Sequence, residues 1–328
     1  MHMEPEAIYL FHADVGYVPK NQTRGERNLS LMKYAFRQGR KLYDTITAEK
    51  NAGLELPSRI CVMRDVNYDL FHSHSNGKRV MDVYRDTAVS ADQPIIIYVH
   101  GGDFFMGRKD SDAAFCVKLA QSGFVVFSVG YTLIPEGNAF TQWRDLTVAM
   151  RYVENNAGVY GGDLNNVFML GDNSGAHMVV YAIAMKGRKF LADVANANPT
   201  RLGINAVCLT RGMFQTTKFD LFGLLMRKYI WGKRYKEYYT DPCHRYVAKT
   251  MSPTALITGS NDEFRRYTER FASALAGCGV EYEKHIYMGD EGGYFTLFNP
   301  DTRDGEWTLD IVLNFFRSHM KAEVVDGD

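Results

Sequence analysis

The segment most able to do chemistry is LGDNSGAH, residues 170–177, where an apolar run meets a stretch with helical spacing. Gly171 and Gly175 have the G-x-S-x-G spacing of a sharp strand-to-helix bend, which exposes a nucleophile midway between two glycines. The midway residue here is Asn173. Its amide nitrogen is delocalised into the carbonyl, so it is not a usable nucleophile. Ser174 is the alternative nucleophile if the bend is shifted by one position.

Strand-length apolar runs alternate with helix-length amphipathic stretches along most of the chain. The predicted strands are 60–70 and 79–84, which alternate like an edge hairpin, followed by 94–99, 124–129, 167–170, 206–209, 254–258 and 282–287. The predicted helices are 27–48, 112–120, 142–153, 174–185, 263–276 and 307–316. This rhythm predicts an α/β fold with a mostly parallel central sheet flanked by helices.

Two segments do not follow this rhythm. Residues 1–52 are predicted to form charged helices with scattered aromatic residues, and the stretch around 213–247 is rich in aromatic side chains. We interpret them as an N-terminal helical cap segment and a cap insertion on a core of residues 53–328. Such a cap would cover the carboxyl edge of the sheet, where open α/β sheets bind ligands. The alternative is that these aromatic residues only pack the cap onto the core.

Composition excludes several functions. Lysine plus arginine equals aspartate plus glutamate, 38 each, so no net field would attract nucleic acid. The five cysteines are scattered and show no C-x-x-C spacing, which we interpret as buried thiols in a reducing cytosol. The chain begins without a signal-peptide pattern and has no apolar run of about 18 residues, so we predict a cytoplasmic protein without a membrane span. His72 and His74 lack a third ligand nearby, and no metal or cofactor is predicted.

Four motifs together resemble one known family. They are HGGDF at 100–104, YTLIPE at 131–136, GGD at 161–163 and GDNSG at 171–175. Their order and spacing resemble the hormone-sensitive-lipase-like carboxylesterases of the α/β-hydrolase superfamily, over about residues 94–316. The ending Gly175-Ala176-His177 is also similar to kynurenine formamidase-like esterases. The resemblance implies the α/β-hydrolase fold with a helical cap, a small-molecule ligand or substrate, and a homodimer.

The resemblance also implies an oxyanion hole, the set of N–H groups that holds a developing negative charge. By position its donors are the backbone N–H groups of Gly102, Asp103 and Ser174. Asp103 replaces the family's third glycine, and its carboxylate, if ionised, would repel an oxyanion. The other residues that the resemblance places at this binding site are His100, Gly101 and Tyr131.

Two of the three positions of the family's catalytic triad lack the expected residue. Asn173 stands at the nucleophile position, and Gly292 stands at the histidine position. Asp262 matches the triad acid, although an aspartate there is also a plausible helix cap. In an unrelated hydrolase fold, removing the serine or the histidine of a triad lowers turnover by about 10⁶-fold.

The substituted site retains several acids. Asp103, Asp172, Asp262 and Glu291 would cluster near Asn173, and carboxylates that share a low-dielectric site push their pKa values apart. That would suit a general acid or base without a nucleophile. The alternative is that Asp172 is the ordinary aspartate of the bend and Glu291 is a solvated loop residue.

Three hypotheses for the function remain open. The first is a catalytically degenerate hydrolase-fold protein that binds a small, partly apolar ligand in the former esterase pocket. The second is a non-hydrolytic acid–base enzyme, such as a lyase, isomerase or cyclase, in the same pocket. The third is an active carboxylic-ester hydrolase that uses Ser174.

Overall fold

The computed structural model describes residues 24–69, 79–215, 230–232, 242–288, 297 and 299–321. Within them, one sheet has eight strands in the order β1-β2-β4-β3-β5-β6-β7-β8. The strands are β1 (Ile60–Asn67), β2 (Val80–Asp86), β3 (Gln93–Val99), β4 (Val125–Val129), β5 (Gly162–Asp172), β6 (Ala206–Thr210), β7 (Thr254–Gly259) and β8 (Tyr282–Tyr287). Strand β2 is antiparallel to both β1 and β4, and the other pairings are parallel. The predicted fold class and edge hairpin are therefore confirmed.

Helices of the described residues cover both faces of the sheet. They are α1 (Arg24–Ala52), α2 (Ala113–Gln121), α3 (Ala139–Asn156), α4 (Ser174–Gly187), α5 (Lys189–Ala195), α6 (Arg245–Ala248), α7 (Arg265–Gly277) and α8 (Arg303–Ser318), with a 3-10 turn at Ala157–Tyr160. Helix α3 begins three residues before its predicted start because the Asn138 side chain accepts a hydrogen bond from the Thr141 N–H and caps it. None of the described helices is long and apolar enough to cross a membrane.

Strand β3 shows why the apolar runs fold as buried strands. Successive side chains of a strand point to opposite faces of the sheet. Ile95, Ile97 and Val99 pack into one hydrophobic cluster, while Ile96 and Tyr98 pack into the cluster on the other face. A strand covered on both faces needs a continuous apolar run rather than alternation, which is the pattern found here.

The cysteines depart from the sequence-based expectation of buried thiols. All five are free, but only Cys116 and Cys208 are buried. Cys61 is exposed on the edge strand β1, and Cys243 and Cys278 are partly exposed. The expectation was wrong for these three because Cys61 lies on an edge strand, Cys243 precedes α6 and Cys278 is the C-cap of α7, and such positions are only partly covered by the rest of the chain.

The parallel strands end at one edge of the sheet and bring distant residues together there. His100 follows β3, Tyr131 lies shortly after β4, Asn173 follows β5, Arg211 follows β6 and Asp262 follows β7. Ligand sites of open α/β sheets lie at this carboxyl edge. The fold thus places the candidate residues of the sequence in one region.

The N-terminal helix α1 packs onto this same edge. The Arg40 guanidinium donates hydrogen bonds to the carbonyl oxygens of Phe105, at 3.1 Å, and Ile134, at 2.6 Å. The rings of Phe36 and Phe105 lie 4.7 Å apart. Helix α1 is therefore attached to the loops that follow β3 and β4.

Gly175 allows helix α4 to approach strand β3 closely. A Cβ atom at this position would lie 2.1 Å from the Val99 carbonyl oxygen, which belongs to the backbone and cannot move aside. We expect Gly175→Ala to lower the free energy of unfolding by about 3 kcal/mol, which is the upper end of the usual cost of overpacking. Denaturant unfolding followed by circular dichroism measures this change.

Gly277→Ala is the matched control, because no heavy atom lies within 4 Å of a Cβ atom at this last residue of α7. It should leave stability unchanged or raise it by up to about 1 kcal/mol. Equal effects of the two substitutions would contradict the assignment of a close approach at Gly175.

Candidate functional site

The bend between β5 and α4 has Asn173 at its apex. The backbone of Asn173 has φ 49° and ψ −111°, outside the regions that residues with a Cβ atom normally adopt. Its N–H donates to the Thr210 carbonyl oxygen at 2.8 Å, and its own carbonyl oxygen accepts from the Met213 N–H at 3.2 Å. These two contacts with the chain around the end of β6 hold the strained conformation in place.

The side-chain carbonyl of Asn173 lies between two backbone donors. Its Oδ1 accepts one hydrogen bond from the Asp103 N–H at 2.9 Å and another from the Ser174 N–H at 2.7 Å. The first donor belongs to the loop after β3 and the second is the first residue of α4. Two N–H groups from separate loops therefore converge on one oxygen atom.

The loop after β3 owes its shape to Gly102. This glycine has φ 111°, and a Cβ atom on it would lie 2.4 Å from the Met106 carbonyl oxygen. Asp103 follows with φ 53°, a region that aspartate enters more easily than most residues. This turn directs the Asp103 N–H toward Asn173.

The rings of His100 and Tyr131 pack together next to this turn, and both side chains bind its backbone. The two rings stack with centroids 4.2 Å apart, and the Tyr131 hydroxyl donates to the His100 carbonyl oxygen at 2.9 Å. His100 Nδ1 donates to the Gly101 carbonyl oxygen at 2.7 Å. Burial lowers the pKa of His100 to about 4, so this imidazole is neutral near pH 7.

Ser174, the alternative nucleophile of the sequence, is fully buried in the first turn of α4. Its Oγ lies 3.5 Å from the Tyr131 hydroxyl. Among the described residues no hydrogen bond joins this Oγ to a histidine. The apex of the bend is Asn173, as the sequence predicted, rather than Ser174.

Asp262 is paired with an arginine. Its Oδ2 accepts from Arg211 Nε at 3.3 Å and from Thr258 Oγ1 at 2.9 Å. Its Oδ1 accepts from the Phe264 N–H at 2.9 Å, close to the start of α7. Asp262 thus lies at the strand-end site, but it is not the N-cap of α7, which is Phe264 and has no side-chain cap. Its match to the triad acid stays a prediction.

Sequence reasoning missed Arg211. This arginine lies one residue beyond β6 with φ 48°, and its side chain is only 7% exposed. The available signal was a charged residue soon after an apolar run, since β6 has the sequence AVCLT and is buried throughout. A buried guanidinium needs carboxylate partners, and the strand order supplies them.

Three further carboxylates surround the Arg211 guanidinium. Burial raises the pKa of Asp172 to about 6, while Arg211 and a 2.5 Å hydrogen bond from Thr210 Oγ1 act to lower it. Burial also raises the pKa values of Asp103 and Glu263, and Arg211 opposes both shifts. One guanidinium therefore stabilises the ionised forms of several buried carboxylates, and ionising all of them together is unfavourable because their charges repel one another.

His177, the end of the GAH motif, is buried on α4. Its Nδ1 donates to the Met213 carbonyl oxygen at 2.9 Å, and burial lowers its pKa to about 3. Its ring lies among Phe104, Trp143 and Trp231, with centroids 5.1–6.2 Å away. This neutral histidine anchors the loop after β6 to α4 and is part of an aromatic cluster.

Some predicted features lie outside the described residues. Gly292 and Glu291 are among them, as are His72, His74 and most of the proposed cap insertion around 213–247. Of that insertion, Trp231 is buried against Trp143, with ring centroids 5.3 Å apart. The described residues contain no group of three or more histidine, cysteine, aspartate or glutamate side chains arranged to hold a metal ion.

The sequence is similar to those of two known proteins, a methylesterase and a formamidase. Isoprenylcysteine alpha-carbonyl methylesterase ICME of Arabidopsis thaliana is 24% identical over 224 residues, which cover 64% of this chain but only 52% of that protein. Kynurenine formamidase of Danio rerio is 26% identical over 215 residues, which cover 65% of this chain and 70% of the relative.

Solved structures show the same fold. Esterase B from Lactobacillus rhamnosis, inhibited by a tributyrin phosphonate, superposes with a TM-score of 0.80 at 18% identity, covering 89% of this chain and 96% of that one. A bacterial heroin esterase has a TM-score of 0.68 at 19% identity, covering 88% of this chain and 92% of that one.

The BD-FAE family model matches residues 81–271, which span the loop after β3, the bend at Asn173 and Asp262. Because this match covers more than half of the 328 residues, the chain belongs to the BD-FAE family, within the α/β-hydrolase superfamily.

Proposed function

We propose that this esterase-like α/β-hydrolase protein binds a small, partly apolar ligand at the carboxyl edge of the sheet without hydrolysing it. The observation that carries the proposal is the position of the Asn173 side chain, whose Oδ1 accepts from both the Asp103 and Ser174 N–H groups. In an ester hydrolase, two such donors bind the oxygen of the carbonyl under attack. Here the protein's own amide occupies them, so an ester carbonyl must first displace it.

The pairing of Asp262 gives independent support. A triad acid orients a histidine and stabilises its protonated form. The Oδ2 of Asp262 is already bound by Arg211 and Thr258, and both side chains of the ion pair are almost fully buried. A histidine would therefore have to compete with a guanidinium for this carboxylate.

A cavity beside the turn offers space for a ligand. It has a volume of about 470 Å³, and the apolar part of its wall comes from Val80, Tyr131 and Leu133. Half of its lining residues are charged: Arg40, Asp44, Asp65, Arg108, Lys109 and Asp110. Small-molecule sites have volumes of roughly 300–1,000 Å³ and combine apolar walls with a few polar groups. A ligand that carries several polar or charged groups beside an apolar part fits this lining. The relatives named for a methyl ester and a formamide suggest a carbonyl compound.

The binding proposal predicts ligand stabilisation without turnover. A thermal-shift screen of small esters, amides and carboxylic acids should reveal a ligand, and a ligand at a hundred times its dissociation constant adds about 2.7 kcal/mol of stability. The same protein should not hydrolyse short-chain nitrophenyl esters or react with a fluorophosphonate, because Ser174 is buried beside a tyrosine hydroxyl.

The control for this screen is Ser174→Ala, which removes the only serine of the bend. We expect it to bind the same ligand with the same affinity as the unchanged protein. Prompt ester turnover and fluorophosphonate labelling of the unchanged protein, both lost in Ser174→Ala, would contradict the proposal and support an ester hydrolase that uses Ser174.

One observation favours a non-hydrolytic acid–base enzyme as the second candidate. Asp172 has a pKa of about 6 because it is buried, so both of its protonation states are populated near neutral pH. A general acid or base works best when its pKa lies near the operating pH. Recovering the ligand after incubation and identifying it by mass spectrometry and NMR separates the two candidates, since binding alone leaves the ligand unchanged.

A further inference from the structure

The side-chain amide of Asn173 is held as a hydrolase holds a carbonyl that is about to react. Its Oδ1 receives the Ser174 N–H at 2.7 Å and the Asp103 N–H at 2.9 Å. Fixed N–H donors at these distances stabilise the negative charge that develops on a carbonyl oxygen when a nucleophile adds to its carbon. The carbon that these donors activate is Cγ of Asn173 itself.

An acid–base group lies beside the same amide. The Asn173 side chain lies close enough to the Asp103 carboxyl to act to lower the pKa of that group. Since Oδ1 is an acceptor, the amide nitrogen Nδ2 is the atom of this side chain that can donate to a carboxylate. Burial raises the pKa of Asp103, which makes its carboxylate a stronger base and its acid form more available than those of an exposed aspartate.

We propose that Asn173 is a substrate of its own site, and that water hydrolyses its side-chain amide to leave an aspartate at this position and release ammonia. This self-modification goes beyond the proposed function, because ligand binding does not require it. Its chemistry uses two described features: the pair of N–H donors and the carboxylate of Asp103.

The steps balance with water as the only co-reactant. Asp103 takes a proton from a water molecule as the water oxygen forms a bond to Cγ of Asn173, and the negative charge that forms on Oδ1 rests between the two N–H groups. Asp103 then returns the proton to Nδ2 as the Cγ–Nδ2 bond breaks. The released ammonia takes the proton of the new carboxylic acid, which leaves a carboxylate and an ammonium ion.

The geometry distinguishes this route from ordinary deamidation. In the ordinary route the backbone nitrogen of the next residue attacks Cγ and forms a succinimide, which opens to a mixture of aspartate and isoaspartate. Here the Ser174 N–H is engaged with Oδ1 and begins helix α4. Attack by this nitrogen would break both the hydrogen bond and the helix start, whereas attack by water keeps them. We therefore infer that the product is aspartate alone.

The test follows residue 173 by peptide mass spectrometry while the purified full chain is incubated in heavy-oxygen water. We expect replacement of the amide by a carboxylate that carries one heavy oxygen, with one ammonia released per chain. Asn196 is the internal control, because it also has a positive φ, 50°, but is exposed and lies at the end of helix α5. Conversion at Asn173 should be at least about 100-fold faster than at Asn196, the contribution of one acid–base group or one oxyanion donor.

The substitution Asp103→Asn keeps the backbone donor and removes the carboxylate, so it should slow conversion at Asn173 by about 100-fold or more. Complete conversion at purification, with Asn196 intact, also supports the proposal. Three results would overturn it: conversion no faster than at Asn196, isoaspartate as a major product, or an unchanged rate in folded Asp103→Asn. If that variant does not fold, the comparison with Asn196 in the unchanged protein and the isoaspartate measurement still decide the question.

Discussion

Arg211→Met should lower the free energy of unfolding by about 3–5 kcal/mol at neutral pH, the usual effect of removing one partner of a buried ion pair. Arg211 and Asp262 are 7% and 0% exposed at their side chains, so water does not replace the lost guanidinium. The same guanidinium also lowers the pKa values of Asp103, Asp172 and Glu263. Methionine fills a similar volume, which limits the effect to the charge. Urea unfolding at equilibrium measures the change.

The loss of unfolding free energy caused by Arg211→Met should depend on pH. Burial already raises the pKa of Asp172 to about 6, and removing Arg211 raises it further. In the folded variant Asp172 therefore binds a proton more tightly than in the unfolded chain, where its pKa is about 4. A group of this kind makes stability fall as pH rises. The unfolded chain titrates in the same way in both proteins, so the difference between them changes only above the folded pKa of Asp172 in the unchanged protein. The extra loss of stability should be nearly constant between about pH 4 and pH 6 and should grow as the pH rises above 6.

Lys189→Met is the control for a charge lost at the surface. Lys189 forms an ion pair with Asp193 one helical turn away, and the two side chains are 87% and 60% exposed. Its stability should change by no more than about 0.5 kcal/mol at any pH in this range. A deficit of that small size for Arg211→Met would mean that the four acids do not depend on the arginine.

Much of the fold follows from local pattern. Strands β3 and β6 contain the continuous apolar runs 94–99 and 206–209, and only a sheet covered on both faces buries such runs completely. The start of β5 was not predictable in the same way, because Asp163, Leu164 and Asn165 are partly or fully exposed. Their strand conformation depends on pairing with β3, where Pro94 lies opposite Asp163. That pairing is a tertiary contact between distant parts of the chain.

The candidate site was predictable only as a set of positions. The glycine spacing predicts Asn173 at the apex of the bend, and in the structure Asn173 lies between β5 and α4 with φ 49°. Its role as the nucleophile position stays a prediction. The sequence does not reveal where the Asn173 side-chain amide points, because that depends on the Asp103 N–H, seventy residues away in the chain.

The sequence analysis missed Arg211 for a related reason. An arginine after a strand is usually solvated, and only the strand order shows that this one faces Asp262 and Asp172.

These contacts change what is needed to build an ester hydrolase on this chain. Asn173→Ser with Gly292→His supplies a nucleophile and a base, where position 292 is assigned from the sequence. The Asp262 carboxylate that should orient the new histidine remains bound to Arg211 and Thr258. We therefore expect the double variant to be nearly inactive toward short-chain nitrophenyl esters.

Adding Arg211→Gln to the double variant should raise turnover by at least about 100-fold, because an oriented general base contributes about 10²–10⁴-fold. Release of Arg211 frees Oδ2 of Asp262 for the histidine, and loss of the Asn173 amide frees the Asp103 and Ser174 N–H groups for the substrate carbonyl. A fourth substitution, Asp262→Asn, should remove the gain if the acid orients the base. Because loss of Arg211 also lowers stability, circular dichroism must first show that both variants are folded. Equal turnover of the folded double and triple variants would then show that Arg211 does not restrain Asp262. In that case the absence of a serine and a histidine alone would explain an inactive site, and Arg211 would have a structural role only.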